Sequence, residues 1–316
     1  MIALPKAKWF GGSEQTANAQ DHLAPPVCYL DFSVNNARPP VFRTIEISDP
    51  QFETDNLRHV TVKSPALGRR ADITVHATQR AHEVSHAPLV ILLHGIHGSH
   101  WAWTQKAGAH RLNEALQLES TFPNFVLAMP SDGLWGDGSG YVAHHGQDFE
   151  RWIVDEVPAA VAHAVPSITS QSKIFIAGLS MGGFGALRLA SEYPERFAGA
   201  SAHSAITELA QLRDLIHEDI TLDAAPSVLA SMLKNRERLS PFRFDCGFSD
   251  SLINANRALS LALMSRGIAH RYEEFAGDHS WSYWGQHLER SLRFFAEVLA
   301  MPAAETPAEL NEISLA

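Results

Sequence analysis

Residues 173–187, KIFIAGLSMGGFGAL, decide how the rest of the chain is read. The apolar run KIFIA predicts a short buried strand. Gly178-Leu179-Ser180-Met181-Gly182 ends it, and FGALRLASEY then has the apolar spacing of a helix. A strand, a sharp turn and a helix in that order hold the Ser180 hydroxyl out at the carboxyl edge of a sheet. The next backbone N–H, that of Met181, falls at a helix N-terminus, where partial positive charge can stabilise an oxyanion. Gly178 and Gly182 permit the close approach of strand and helix backbones that such a turn demands. The pattern G-x-S-x-G also arises by chance in glycine-rich turns, so its surroundings carry the argument.

Those surroundings belong to a chain of 316 residues, 45% hydrophobic and 19% charged, which suits one main soluble domain with a sizeable core. A formal net charge of -10 with no basic cluster argues against general affinity for nucleic acid or for an anionic membrane. The opening MIALPKAKWFGG has no apolar signal core and no later run is long enough to cross a bilayer, so a cytoplasmic protein is expected. The two cysteines, Cys28 and Cys246, allow one bridge at most, and free thiols are expected.

Residues 1–26 read as an extended arm broken by Gly11-Gly12 and Pro25-Pro26, residues 302–316 as a weakly held tail, and 27–301 as the main domain. From 27 to 87 the runs VCYLDF, FRTIEI, RHVTVKS and ADITVHAT predict antiparallel strands, the last two joined by a turn at LGRR. From Pro88 onward PLVILLHG, FVLAMPSD, KIFIAGLS, FAGASAHS and FRFDCGFSD alternate with helical patterns, the signature of a mainly parallel α/β sheet. The helical stripes are AHRLNEALQL, FERWIVDEVPAAVAHAV, FGALRLASEY, LINANRALSLALMSRG and HLERSLRFFAEVLA. Such a sheet places its site at the carboxyl ends of its strands. Residues 206–239 exceed what a crossover needs and are expected to form a cap insertion.

An attacking serine needs a base to take its proton and an acid to orient that base. In α/β hydrolases these follow in the order serine, acid, histidine. Asp250 lies just beyond the strand FRFDCG, where a loop carboxylate can reach an imidazole. Asp245 is its rival but falls within the strand, and Asp250 could also serve only to cap the next helix. His279, in GDHSWSYWG after the strand HRYEEFAG, stands where the base should be. A second oxyanion donor is expected from the loop LLHGIHGSHWAW, where Gly95 lets the Ile96 N–H face that of Met181. His94, His97 and His100 in the same loop share a spacing of three that would suit a metal on a helix, but Gly95 and Gly98 argue for a loop, and no metal is expected.

Together LLHGIHGSHWAW, the GLSMGGFGALRLA segment with EYPERFA, the DCGFSDSLINANRAL segment, and GDHSWSYW resemble the putative-esterase family, which includes esterase D (S-formylglutathione hydrolase), tributyrin esterases, feruloyl and acetylxylan esterases and the antigen 85 mycolyltransferases. The resemblance runs from about Phe42 to Ala300. It implies an α/β-hydrolase fold with a mainly parallel central sheet, an antiparallel N-terminal edge and helices on both faces. It also implies Ser180 as nucleophile, Asp250 rather than Asp245 as acid, His279 as base, and Ile96 and Met181 as oxyanion donors, with no cofactor.

The expected activity is that of a serine carboxylesterase acting on short-chain or aromatic acyl esters, carbohydrate esters among them, through an acyl-enzyme on Ser180. An acyltransferase using the same acyl-enzyme is the nearest alternative; a non-catalytic carbohydrate-binding protein is a more distant one. His94, Trp101, Trp135 and Trp281 are expected to contact substrate, the tryptophans as loop aromatics that stack on rings or line an acyl pocket. The partner is a small-molecule or carbohydrate ester, and the sequence leaves a homo-oligomer open. The loop 131–145 lacks the alternating oxygens of a calcium loop, and its glycines suit a wall or lid.

Overall fold

The computed structural model describes residues 42–217 and 225–301. The arm expected over 1–26, the strand expected at 27–32, Cys28 and the tail over 302–316 lie outside the described residues. The first strands are β1 (Ile45–Ile47), β2 (Leu57–Lys63) and β3 (Arg70–His76), paired antiparallel. The β2–β3 turn passes through Gly68 at φ +64°, within the expected LGRR turn. After α1 (Gln79–Glu83), capped by the Thr78 hydroxyl, come β4 (Leu89–Leu93), α2 (Ala102–Ala107), α3 (Ala109–Gln117) and β5 (Val126–Pro130). A small hairpin of β6 (Ala143–His144) and β7 (Gln147–Asp148) leads into α4 (Phe149–Arg151), a π-helical turn at Trp152–Glu156 and α5 (Val157–Ala164). The remaining elements are β8 (Ile174–Leu179), α6 (Met181–Glu192), β9 (Gly199–His203), α7 (Leu209–Arg213), α8 (Val228–Lys234), β10 (Phe242–Gly247), α9 (Ile253–Met264), β11 (Arg271–Phe275) and α10 (Trp281–Ala300).

Among the described residues nine strands make one sheet in the order β1-β2-β3-β5-β4-β8-β9-β10-β11. From β5 to β11 the neighbours are parallel, while β1 to β3 form the antiparallel edge and β3 joins β5 antiparallel. The central strands are apolar throughout because both faces are covered. Leu89, Ile91 and Leu93 enter one core and Val90 and Leu92 the other, following the two-residue period of a strand. None of the described helices is long and apolar enough to cross a membrane.

Three features depart from the sequence expectation. The helix expected over 149–165 is broken by its π turn. Pro158 has no N–H to offer the Val154 carbonyl, and that oxygen instead accepts from Arg196 Nη2 at 2.9 Å. The last helix starts at Trp281, six residues before His287, because Tyr283, Trp284, His287, Leu288, Ser291 and Leu292 continue one buried stripe. Trp281 and Trp284 are therefore helical, not loop residues, and Trp103 lies in α2, which the sequence reading treated as loop. The described parts of 206–239 hold α7, α8 and a 3-10 turn at Arg236–Arg238, and their Leu212, Ile216, Val228 and Met232 are buried in the same core as the sheet.

Two constraints fix the middle of the sheet. A methyl group on Gly178 would lie 2.2 Å from the Gly182 carbonyl oxygen, and one on Gly182 would lie 2.4 Å from the Leu93 oxygen and 2.6 Å from the His94 oxygen. Strand β8, helix α6 and the end of β4 therefore meet backbone to backbone. Beside them Asp245 is fully buried on β10. His203 Nδ1 lies 3.0 Å from its carboxylate, Arg243 Nη2 2.8 Å away, and the Tyr283 hydroxyl donates to it at 2.9 Å. Burial raises the Asp245 carboxyl, but the charge and hydrogen bond of His203, with Arg243 and Tyr283, bring it down to about 2.

Gly182→Ala should destabilise the protein by about 1–3 kcal/mol, read from urea unfolding, since the backbone must move to admit a methyl group. Asp245→Asn should cost about 1–3 kcal/mol, because it leaves the buried Arg243 guanidinium with Glu273 as its remaining carboxylate partner at 2.8 Å. An unfolded aspartate titrates near ~3.9, above the folded value, so the stabilising contribution of Asp245 is complete above about pH 4 and is lost as pH falls towards 2. Unfolding followed across that window should therefore be steeper for the wild type than for Asp245→Asn.

Candidate active site

The turn after β8 sets the position of Ser180. Its φ of 53° and ψ of −117° are sparsely populated for any residue with a side chain and cost on the order of 1–3 kcal/mol. The geometry persists because the main chain is held on both sides: the Ser180 N–H donates to the His203 carbonyl at 3.0 Å, and the Ser180 carbonyl accepts from Phe184 N–H at 3.0 Å. The hydroxyl is thereby aimed across the carboxyl ends of β9, β10 and β11.

Two loops meet it there. His279, between β11 and α10, places Nε2 3.0 Å from Ser180 Oγ and Nδ1 2.9 Å from Asp250 Oδ2. Asp250 follows β10, its carboxylate fully buried while the His279 ring is 31% exposed, so the imidazole has one side towards solvent. Burial raises the Asp250 carboxyl. Hydrogen bonds from His279, Leu252 N–H and Ser204, with the charge of His279, outweigh this and hold it below the ordinary carboxylate value. The Leu252 N–H donates to Oδ1 at 2.8 Å, so Asp250 shapes the turn into α9 as well as facing the histidine. The two loops are locked together: a methyl group on Gly247 would lie 2.4 Å from the Gly277 carbonyl oxygen, and Ser249 N–H donates to that oxygen at 2.9 Å.

Of the two residues behind this pair, the sequence places Trp284 beside the site as a loop aromatic and gives no sign of Ser204. Trp284 Nε1 donates to Ser204 Oγ at 3.1 Å, and its ring meets the His279 ring edge-on at 4.9 Å. Ser204, at the end of β9, hydrogen-bonds Asp250 and carries its own positive φ of 48°. Only its place at the end of a strand next to β8 could have flagged it.

On the other side of Ser180 lies the loop after β4. A methyl group on Gly95 would sit 3.4 Å from Ser180 Cβ, and one on Gly138 would sit 2.5 Å from Met181 Sδ and 3.4 Å from Ile96 Cγ2. Ile96 and Met181 thus flank the serine from two segments, with Met181 opening α6.

The expected substrate contacts are distributed differently. His94 is 1% exposed, its Nδ1 2.7 Å from the Gly95 carbonyl and its Nε2 accepting from Asp132 N–H at 3.2 Å, so it props the loop from beneath and does not face a ligand. The sequence offered only its neighbourhood, not its direction. Trp101 is 44% exposed, and Trp281, half-buried, packs edge-on against Trp284 at 5.3 Å. Trp135 is half-buried and stacks on His144 at 4.5 Å. His94, His97 and His100 do not converge: His97 Nε2 is 3.0 Å from Asp137 Oδ1 and His100 Nδ1 2.8 Å from Thr74 Oγ1.

Asp245, His203 and Ser291 repeat the same three residue types in the core, with His203 Nε2 2.9 Å from Ser291 Oγ. All three are fully buried, so no substrate reaches them. Cys246 is a free, buried thiol whose proton affinity burial raises well above normal. A cavity of ≈ 530 Å³, lined by Arg236, Phe242, His270 and Arg271 among others, opens at the amino-terminal ends of β10 and β11, the opposite end of the sheet from Ser180.

Residues 64–295 match the model of the family described as putative esterase, well over half of the chain. The chain is 27% identical over 234 residues to an acetyl esterase of Caldicellulosiruptor saccharolyticus, covering 66% of this chain and 82% of that one. Among solved structures it is similar to a ferulic acid esterase, with a TM-score of 0.67 at 20% identity over 80% of this chain and 99% of the other. It is also similar to the substrate-bound fluorophosphonate-binding serine hydrolase FphF of Staphylococcus aureus, with a TM-score of 0.62 at 23% identity over 75% and 97%. Those two likenesses establish the fold, a mainly parallel sheet of α/β-hydrolase type. By the extent of the family match, the chain belongs to the putative esterase family and is a carboxylic ester hydrolase.

Proposed function

We propose that this protein is a serine carboxylesterase in which Ser180 is the nucleophile, His279 the general base and Asp250 the acid that orients it. The observation that carries the reading is the unbroken line from Asp250 Oδ2 through His279 to Ser180 Oγ, with steps of 2.9 and 3.0 Å. Asp250, ionised and buried, keeps the proton on His279 Nδ1 and leaves Nε2 to accept from the serine. As Ser180 Oγ bonds to the acyl carbon, its proton passes to Nε2 and the carbonyl oxygen gains charge. The N–H groups of Ile96 and Met181 receive that charge, the second with the help of the α6 N-terminus. The imidazolium returns its proton to the departing alcohol; water then attacks the acyl-enzyme by the same route.

The acyl group is proposed to be short, acetyl to butyryl, in keeping with the name of the acetyl esterase relative. Trp101 and Trp281 are proposed to meet the alcohol portion, an aromatic or carbohydrate ring, because both are partly exposed and the Trp281 ring leads through Trp284 to His279. Trp135, half-buried against the core, is proposed to contribute to the wall.

With p-nitrophenyl acetate, Ser180→Ala should lower kcat by about 10⁴ or more. Asp250→Asn should lower it by about 10²–10⁴, while Asp245→Asn, assayed where it is folded, should stay within a few-fold of the wild type. Equal losses in the two aspartate variants would reject the assignment of Asp250. Across p-nitrophenyl esters of rising chain length, kcat/KM should fall beyond butyrate; faster cleavage of octanoate would reject the short-acyl assignment.

A further inference from the structure

The loop 131–145 reaches the neighbourhood of Ser180 through one side chain. Asp137 accepts from two segments distant in sequence: His97 Nε2 stands 3.0 Å from Oδ1, and the His217 N–H donates to Oδ2 at 3.1 Å. Its backbone carbonyl also accepts from the His97 N–H at 2.8 Å. His97 is therefore gripped twice, by main chain and by ring. It sits at φ 56°, a left-handed geometry uncommon for a residue with a Cβ. Ile96, one of the two proposed oxyanion donors, immediately precedes it. The residue after Asp137 is Gly138, which lies against both Ile96 Cγ2 and Met181 Sδ so closely that a methyl group would overlap the sulfur. Gly138 thus lies between the side chains of the two residues proposed as donors, and Asp137 is tied to His217, at the described edge of the 206–239 segment.

We infer that Asp137 is a positioning residue: its carboxylate joins the turn after β4, the 131–145 loop and His217, and so holds the Ile96 N–H in the direction a developing oxyanion requires. This rests on the reading of Ser180 as nucleophile with Ile96 and Met181 as donors. An amide aimed at the oxyanion matters in the transition state far more than in the ground state, so its misdirection lowers kcat and leaves KM nearly unchanged. The 131–145 loop then acts on the rate as well as on access to the site.

The test uses a phenyl trifluoromethyl ketone as inhibitor alongside p-nitrophenyl acetate. Ser180 Oγ adds to its carbonyl carbon, the serine proton moves to His279, and the former carbonyl oxygen becomes an oxyanion held by the same two amides. Asp137→Ala should lower kcat about tenfold with KM within about twofold, and should weaken the ketone by a similar factor. Asp137→Asn, which keeps an acceptor for His217 N–H, should recover most of both. Gly138→Ala, whose methyl group would press on the Met181 and Ile96 side chains without touching the carboxylate, should show the same paired loss. A change confined to KM, a kcat loss without a matching loss of ketone affinity, or equal defects in the Asn and Ala variants overturns the assignment. Undiminished turnover by Ser180→Ala would instead remove the underlying reading and is measured first.

Discussion

The contact on which everything else depends is the meeting of three backbones around Ser180. The Gly178 Cα faces the Gly182 carbonyl, and the Gly182 Cα faces the last carbonyls of β4, with no room for a methyl group in either place. That approach forces the serine into a strained φ, presents the first N–H groups of α6, and brings the loop after β4 alongside. Strand pairing from β8 through β9 to β10 and β11 then delivers the aspartate and histidine loops from the same end of the sheet. A wider turn would leave each of those groups in place but not converging.

Much of this was legible in the sequence because backbone requirements leave marks that side-chain packing does not. Glycines at 178 and 182 bracketing a serine, after four apolar residues and before a helical stripe, admit few structures. The uniform apolar runs of β4, β5 and β8 state that both faces of the sheet are covered there, and Asp250 and His279 each lie just beyond a later strand, β10 or β11. Asp245, the rival carboxylate, falls inside a strand that is buried at every residue, and its partners Arg243, His203 and Tyr283 tie it into the core.

What escaped the sequence was direction. His94 lies in the right loop yet points inward, propping Gly95 and Asp132, because a residue just beyond a buried strand can turn either way. Ser204 and Trp284 support the acid and base from elements that come together only through the sheet order. Asp137 lies among glycines that suggested a flexible wall, and its grip on His97 and His217 spans 40 and 80 positions, beyond the reach of local pattern. The π turn also escaped the sequence: the apolar stripe through Pro158 reads as one helix, and Arg196, which takes up the Val154 carbonyl, lies beyond it in sequence.

The central claim is that Ser180 carries the acyl group between the two halves of the reaction. Rapid acid quenching of the enzyme during turnover of p-nitrophenyl acetate, followed by peptide-resolved mass spectrometry, tests it directly. The account predicts an acetyl group on the peptide containing Ser180, accumulating during the burst and absent from Ser180→Ala. Acetylation confined to another residue, or steady turnover by Ser180→Ala, would contradict it.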